Sequence, residues 1–117
     1  MNTFICYAKC STCAKARKWL DNNGIAYNER PIKEQNPTAE ELHTWIKKNG
    51  LDVRKFFNTS GQLYRSLNLK EKLKTMSEKE MIDLLATDGM LVKRPILVSD
   101  KAVLVGFKEA EWAETLR

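Results

Sequence analysis

The stretch TFICYAKCSTCAKA, residues 3–16, sets two cysteines three apart directly after an apolar run. Phe4, Ile5 and Tyr7 give residues 3–7 the aromatic and β-branched content of a short buried strand. From 12 to 23 the pattern changes: Cys13, Ala16, Trp19 and Leu20 share one face at helical spacing, with Lys15, Lys18, Asp21 and Asn22 mostly away from it. Asn23-Gly24 is a stop, because glycine accepts the left-handed cap conformation. Residues 25–32 read as a second strand, with Pro31 marking an edge position or an early end. The Cys10-x-x-Cys13 pair therefore sits on a strand-to-helix turn that opens a β-α-β unit.

Beyond that unit the chain turns helical. Pro37-Thr38-Ala39-Glu40-Glu41 is a capping-box start, followed by an apolar face of Leu42, Trp45 and Ile46 and a stop at Gly50. A second box, Ser77-Glu78-Lys79-Glu80, opens a helix carrying Met81, Leu84 and Leu85. Residues 51–76 read as short helical turns broken by Asn58-Thr59-Ser60-Gly61. Strands follow at 96–99 and 102–106, joined by a tight turn at Asp100-Lys101. A last helix from Glu109 docks through Trp112 and Leu116. There is no internal repeat, low-complexity tract or linker.

The order β-α-β, helical insertion at 38–90, then β-β-α predicts an α/β fold with a mixed sheet, in one domain over 1–117. It matches a thioredoxin-like fold. Such proteins commonly hold a cis proline beside the active cysteine, and Arg94-Pro95, just before the third strand, is the step expected to be cis.

Composition narrows the functional classes. A chain of 117 residues can bury one core, and 43% hydrophobic with 30% charged residues is ordinary for a soluble globular chain. The net charge of +5 favours anionic small molecules or acidic partner surfaces. No basic stripe is interleaved with aromatics, so direct nucleic-acid binding is not expected. The first residues, from Met1 to Tyr7, have no basic lead and too short an apolar run for a signal peptide, and no stretch is long enough to cross a bilayer. A cytoplasmic monomer is expected, in a compartment that keeps thiols reduced. Three cysteines, an odd count, argue against a disulfide framework. One CxxC, Cys6 and the single His43 are too few ligands for a structural zinc site, so no metal is expected. His43 reads as a surface residue and Cys6 as inert packing.

That leaves thiol chemistry. Cys10 would lie in the loop at a helix N-terminus, where unpaired backbone N–H groups and the helix dipole stabilise a thiolate. Lys9, Lys15 and Arg17 add positive charge if they point toward it. A thiolate at Cys10 is a good nucleophile and leaving group. Cys13 either attacks a mixed disulfide at Cys10 and releases the partner, or only fills the first turn as a small apolar residue.

With Cys10 at that turn, Gly50-Leu51-Asp52-Val53-Arg54-Lys55-Phe56-Phe57 in the insertion and Lys93-Arg94-Pro95-Ile96 downstream, the chain resembles the ArsC/Spx-like family over essentially its whole length. That family contains glutaredoxin-coupled arsenate reductases, Spx-type redox regulators of RNA polymerase, and small reductase-like proteins. The arsenate reductases approach their nucleophile through Asn-Pro-x-Cys, where this chain has Tyr7-Ala8-Lys9-Cys10. Of their three oxyanion-binding arginines one matches Arg94; Asn58 stands at the second position and Phe107-Lys108 at the third. Losing two guanidiniums removes bidentate contacts, which disfavours arsenate reduction. Cys13 stands where those reductases have serine and restores the Spx CxxC pair. Asn58-Thr59-Ser60-Gly61 with Tyr64-Arg65 and Leu67 is similar to a motif of the glutathione-linked branch.

The resemblance implies catalytic roles for Cys10, Cys13 and Arg94. It implies substrate binding by Arg65, Lys9, Ser11, Thr12 and Pro95, with Arg65 and Arg94 holding a carboxylate or Arg65 merely solvated. No bound cofactor is expected; glutathione or glutaredoxin would serve as thiol co-substrate. The two classes of function are a thiol–disulfide oxidoreductase and an Spx-like switch that binds the RNA polymerase α subunit. Spx-type regulators continue past the last helix with a charged tail, whereas this sequence stops at Arg117.

Overall fold

A computed structural model describes residues 2–117; Met1, included above in the apolar start, lies outside the described residues. The chain adopts the thioredoxin-like α/β fold. Strand β1 (Thr3–Cys6) leads into α1 (Ser11–Asn22), and β2 (Asn28–Pro31) returns parallel to β1. After the helical segment, β3 (Ile96–Val98) and β4 (Val103–Val105) complete a four-stranded sheet of order β2-β1-β3-β4, antiparallel from β1 onward. The second strand is shorter than its sequence pattern suggests. Ile25 N–H is spent closing α1 on the Leu20 carbonyl, and the ladder starts only when Asn28 N–H reaches the Asn2 carbonyl. Pro31 ends β2 on the sheet edge, where a missing N–H costs nothing.

Period-2 alternation sends the strands' side chains into two cores. Phe4 and Cys6 of β1, Leu97 and Leu104 face Cys13, Ala16 and Leu20 of α1 and Trp112 of α6 (Glu109–Leu116). Ile5, Ile96, Val103 and Val105 face the helical segment between β2 and β3. There α2 (Ala39–Asn49) contributes Leu42, Trp45 and Ile46. Two short helices, α3 (Gln62–Ser66) and α4 (Leu69–Lys72), are flanked by 3-10 turns at Val53–Phe56 and Leu73–Thr75. Then α5 (Glu78–Leu85) buries Met81, Ile82 and Leu85, with Leu84 only half-buried, so Ile82 takes the inward place that the sequence assigned to Leu84.

Local chemistry sets the helix ends. Thr38 Oγ1 accepts from Glu41 N–H at 3.1 Å while Glu41 Oε1 accepts from Thr38 N–H at 3.0 Å; Ser77 and Glu80 repeat the pattern at 3.1 and 2.9 Å. Glu41 does a second job. Arg30 of β2 forks onto its carboxylate at 2.6 and 2.8 Å, tying the sheet edge to the start of α2 and holding that carboxyl at about 2. Gly50 closes α2 at φ 82°, a left-handed conformation that suits glycine. No helix among the described residues is long and apolar enough to cross a membrane.

Trp112 fixes α6 to the sheet. It is fully buried, edge-on to Phe4, Trp19 and Phe107, and its indole N–H donates to the Gly106 carbonyl at 3.1 Å. Trp112→Ala should cost about 3–5 kcal/mol, the usual range for emptying a large aromatic site. Urea unfolding followed by circular dichroism checks this; a loss under ~1 kcal/mol would mean that α6 does not depend on this anchor.

Candidate functional site

The site grows from the turn between β1 and α1. Tyr7 commits both backbone groups to it: its carbonyl accepts from Cys10 N–H at 3.1 Å, and its N–H donates to Cys13 Sγ at 3.4 Å. Cys10 is the N-cap of α1, with extended backbone (φ −93°, ψ 120°). Its sulfur is half-buried beside the free N–H groups of the first turn. Burial by itself raises the Cys10 pKa. The Cys13 backbone N–H, the Cys13 thiol, the Thr12 N–H and the Arg94 charge outweigh it, so the net shift is downward. Cys13 moves the other way, pushed up to about 12 by burial and by the Cys10 sulfur beside it. Cys6 is also buried and is raised to about 11, first by burial and then by Glu29. The two thiols of the CxxC are thus unlike: one is lowered and the other raised.

Arg94 comes from the opposite side, on the segment entering β3, through an Arg94-Pro95 peptide bond that is cis. Its guanidinium lies over the Tyr7 ring, 5.0 Å from the centroid. Two of its nitrogens, Nε and Nη1, are buried and have no hydrogen-bond partner among the described residues. A buried donor without a partner costs free energy, so these atoms mark a place for an acceptor.

Cys10, Thr12 and Arg94 share a cleft of about 420 Å³ with the 58–61 loop, Lys93, Gly106, Phe107 and Lys108. The loop is held against the 91–93 segment by an isolated β-bridge between Phe57 and Val92 and by Asn58 N–H donating to the Leu91 carbonyl at 2.8 Å. Gly106 (φ 72°) leaves room for the Lys93 stem: a Cβ there would come within 2.8 Å of Lys93 Cε. The lining carries three cations, Lys93, Arg94 and Lys108, and no carboxylate. Such a cleft suits an anion or an acidic group.

The structure brings together Cys10, Cys13, Thr12 and Arg94 of the residues singled out in the sequence. Pro95 is buried next to Arg94, while Lys9 and Ser11 are exposed and do not line the cleft. Arg65 is exposed on α3, one turn beyond Gly61, and also lies outside the lining. Arg17 does not turn toward Cys10. It crosses to the edge strand, donating to Glu29 at 3.0 Å and to Cys6 Sγ at 3.4 Å. Lys93 and Lys108 were not among the expected binding residues. For Lys93 the signal was adjacency to Arg94; for Lys108 it was its place just after the last strand.

The ArsC family model matches residues 6–115, and the chain belongs to the ArsC family. It is 56% identical over 112 residues to YusI of Bacillus subtilis, spanning 96% of this chain and 95% of that protein. It is 32% identical over 102 residues to the global transcriptional regulator Spx 2 of Oceanobacillus iheyensis, spanning 87% and 74% of the two chains. Among solved structures, an ArsC family related protein from Bacteroides fragilis superposes with a TM-score of 0.96 at 55% identity, covering 97% and 96%. A possible arsenate reductase from Streptococcus mutans superposes at 0.86 with 46% identity, covering 92% of each chain.

The electrostatics predict one reactive cysteine. Iodoacetamide labelling across a pH series, read by peptide mass spectrometry, should modify Cys10 with a midpoint below the ordinary thiol range. Cys6 and Cys13 should stay unmodified near neutral pH. Because the Arg94 charge favours the thiolate, Arg94→Gln should move the Cys10 midpoint upward; an unchanged midpoint would remove Arg94 from the site's electrostatics.

Proposed function

We propose that this protein is a thiol–disulfide redox protein, reductase-like, in which Cys10 is the nucleophile, Cys13 the resolving thiol and Arg94 the anion holder. The carrying observation is the split between the two thiols at one helix start, one lowered and one raised about Arg94 and the first-turn N–H groups. Cys10 thiolate attacks one sulfur of a substrate disulfide, forming a mixed disulfide and expelling the other sulfur as a thiolate. Cys13 then gives up its proton and attacks Cys10 Sγ, leaving a Cys10–Cys13 disulfide and a substrate reduced by two electrons. Glutathione or a protein thiol such as glutaredoxin returns the pair to the dithiol. The cationic cleft supports glutathione as a co-substrate, since its carboxylates suit Arg94, Lys93 and Lys108.

A second reading is supported by the likeness to Spx 2: a redox-sensing regulator whose disulfide alters a surface that binds the RNA polymerase α subunit. Retention of that subunit on the immobilised protein, dependent on the state of the pair, would favour it. Arsenate reduction has the weaker support. Lys108 supplies a cation near the third arginine's place, but as a point charge without a planar fork, and Asn58 supplies none.

The test is mass spectrometry of the protein equilibrated through a series of glutathione redox buffers. A Cys10–Cys13 disulfide, or an adduct confined to Cys10, should appear within the cytosolic range of potentials. Cys10→Ser should abolish disulfide reduction, and Cys13→Ser should accumulate the mixed disulfide at Cys10. Thiols that stay free well into oxidising buffers would refute the reading.

A further inference from the structure

A second depression of about 550 Å³ continues from the Cys10 cleft, and Phe57, Thr59 and Lys93 line both. Its floor is apolar: the rings of Phe57 and Tyr64 lie 6.3 Å apart, and Leu73 sits beside them. Its rim is basic. Lys55, Lys70 and Lys93 are exposed, and Lys70 and Lys93 form no ion pair among the described residues. The one carboxylate in the lining, Asp52, is clasped by Arg54 through two contacts of 3.0 Å, so its charge is already answered. Lys74 is answered in turn by Glu71 at 3.2 Å.

We propose that this groove is the docking site for an acidic polypeptide segment flanking the cysteine that reacts at Cys10. The proposal rests on the thiol–disulfide reading above and adds its substrate class: a protein whose target disulfide lies beside Asp or Glu residues interspersed with apolar ones. Continuity carries the argument. A chain with its disulfide sulfur at Cys10 can run past Lys93 and lay apolar side chains on the half-buried Tyr64 ring. Its carboxylates then meet Lys93, Lys55 and Lys70. A single-stranded nucleic acid fits the groove less well. Stacking of successive bases needs several exposed aromatic faces, whereas Phe57 is buried and Tyr64 is half-buried.

Two measurements separate the groove from the chemistry. In the first, a fluorescent peptide with acidic and apolar flanks, and serine in place of its cysteine, is titrated with the full chain by anisotropy. Binding should weaken about ten-fold when salt is raised from low to physiological levels, and by a similar factor in Lys55→Glu/Lys70→Glu. The equal charge change Lys18→Glu/Lys101→Glu, outside the groove, should leave affinity within about two-fold. In the second, the same peptide with cysteine as a mixed disulfide with 2-nitro-5-thiobenzoate is mixed with the protein and thiobenzoate release is followed. The acid-flanked peptide should react about ten-fold faster than a neutral-flanked one at low salt. Equal affinity for acidic and neutral peptides, insensitivity to salt, or stronger binding of an oligonucleotide of the same charge would each overturn the groove. The salt titration of the unaltered chain decides this even if the double variant does not fold. An unreactive Cys10 with the serine peptide still bound would overturn the thiol reading and leave the groove standing.

Discussion

Both backbone groups of Tyr7 are bonded within the turn that follows β1, and the rest of the site is built on that commitment. The carbonyl draws in Cys10 N–H, and this bends the chain so that Cys10 becomes the cap of α1. The N–H goes to Cys13 Sγ, one turn into the helix, which seats the helix start against the end of the central strand. An alanine at 13 would fill part of the space but leave that N–H without its acceptor, a cost of about 1–3 kcal/mol where it is buried. Cys13 is therefore placed by packing and by a hydrogen bond at once, and chemistry and structure do not compete for it. The Tyr7 ring then offers its face to Arg94, so one residue positions Cys10, Cys13 and Arg94.

The charge of the cleft is set by what lines it, while three carboxylates elsewhere are paired with arginines. Glu29 is taken by Arg17, Glu41 by Arg30 and Asp52 by Arg54. The exposed Asp52–Arg54 pair adds little stability. None of these three carboxylates lines the cleft, where Lys93, Arg94 and Lys108 stand with Cys10. Arg94 is the cation with the most to gain from an occupant, since two of its donors are buried without partners among the described residues.

Much of this could be read from the sequence, and the division follows range. Features with local causes were legible: the capping boxes at Thr38/Glu41 and Ser77/Glu80, the Gly50 stop and the CxxC at a helix start. Arg94-Pro95 was legible through the fold it resembles, because no local rule makes that bond cis. The direction of Arg17 stayed open because its partners, Glu29 and Cys6, are on two neighbouring strands, and helical spacing alone does not say which way a long side chain leans. Arg65 was read from a motif, yet α3 holds it outside the cleft while the loop before it forms the wall. Lys93 and Lys108 lie 15 positions apart and meet only because the β3–β4 hairpin returns the chain and Gly106 makes room for a lysine stem. Cation clusters assembled by a hairpin leave little trace in linear sequence.

The unlike thiols also give the proposed reaction a direction. Cys13 is raised in part by the Cys10 sulfur, through charge and through the hydrogen bond that Cys13 donates to it. While Cys10 is a thiolate, Cys13 is locked as a thiol and does not compete for substrate. Once Cys10 is consumed in a mixed disulfide, its negative charge is gone and the Cys13 thiol has no anion to donate to. Both causes then vanish, and the Cys13 pKa falls toward the value set by burial and by the Tyr7 N–H. The resolving thiol thus becomes easier to ionise at the stage where its attack is needed. Burial keeps it out of reach of external disulfides throughout. The lowered partner at the helix cap and the raised partner beneath it act as one device, because each thiol's protonation depends on the other's covalent state.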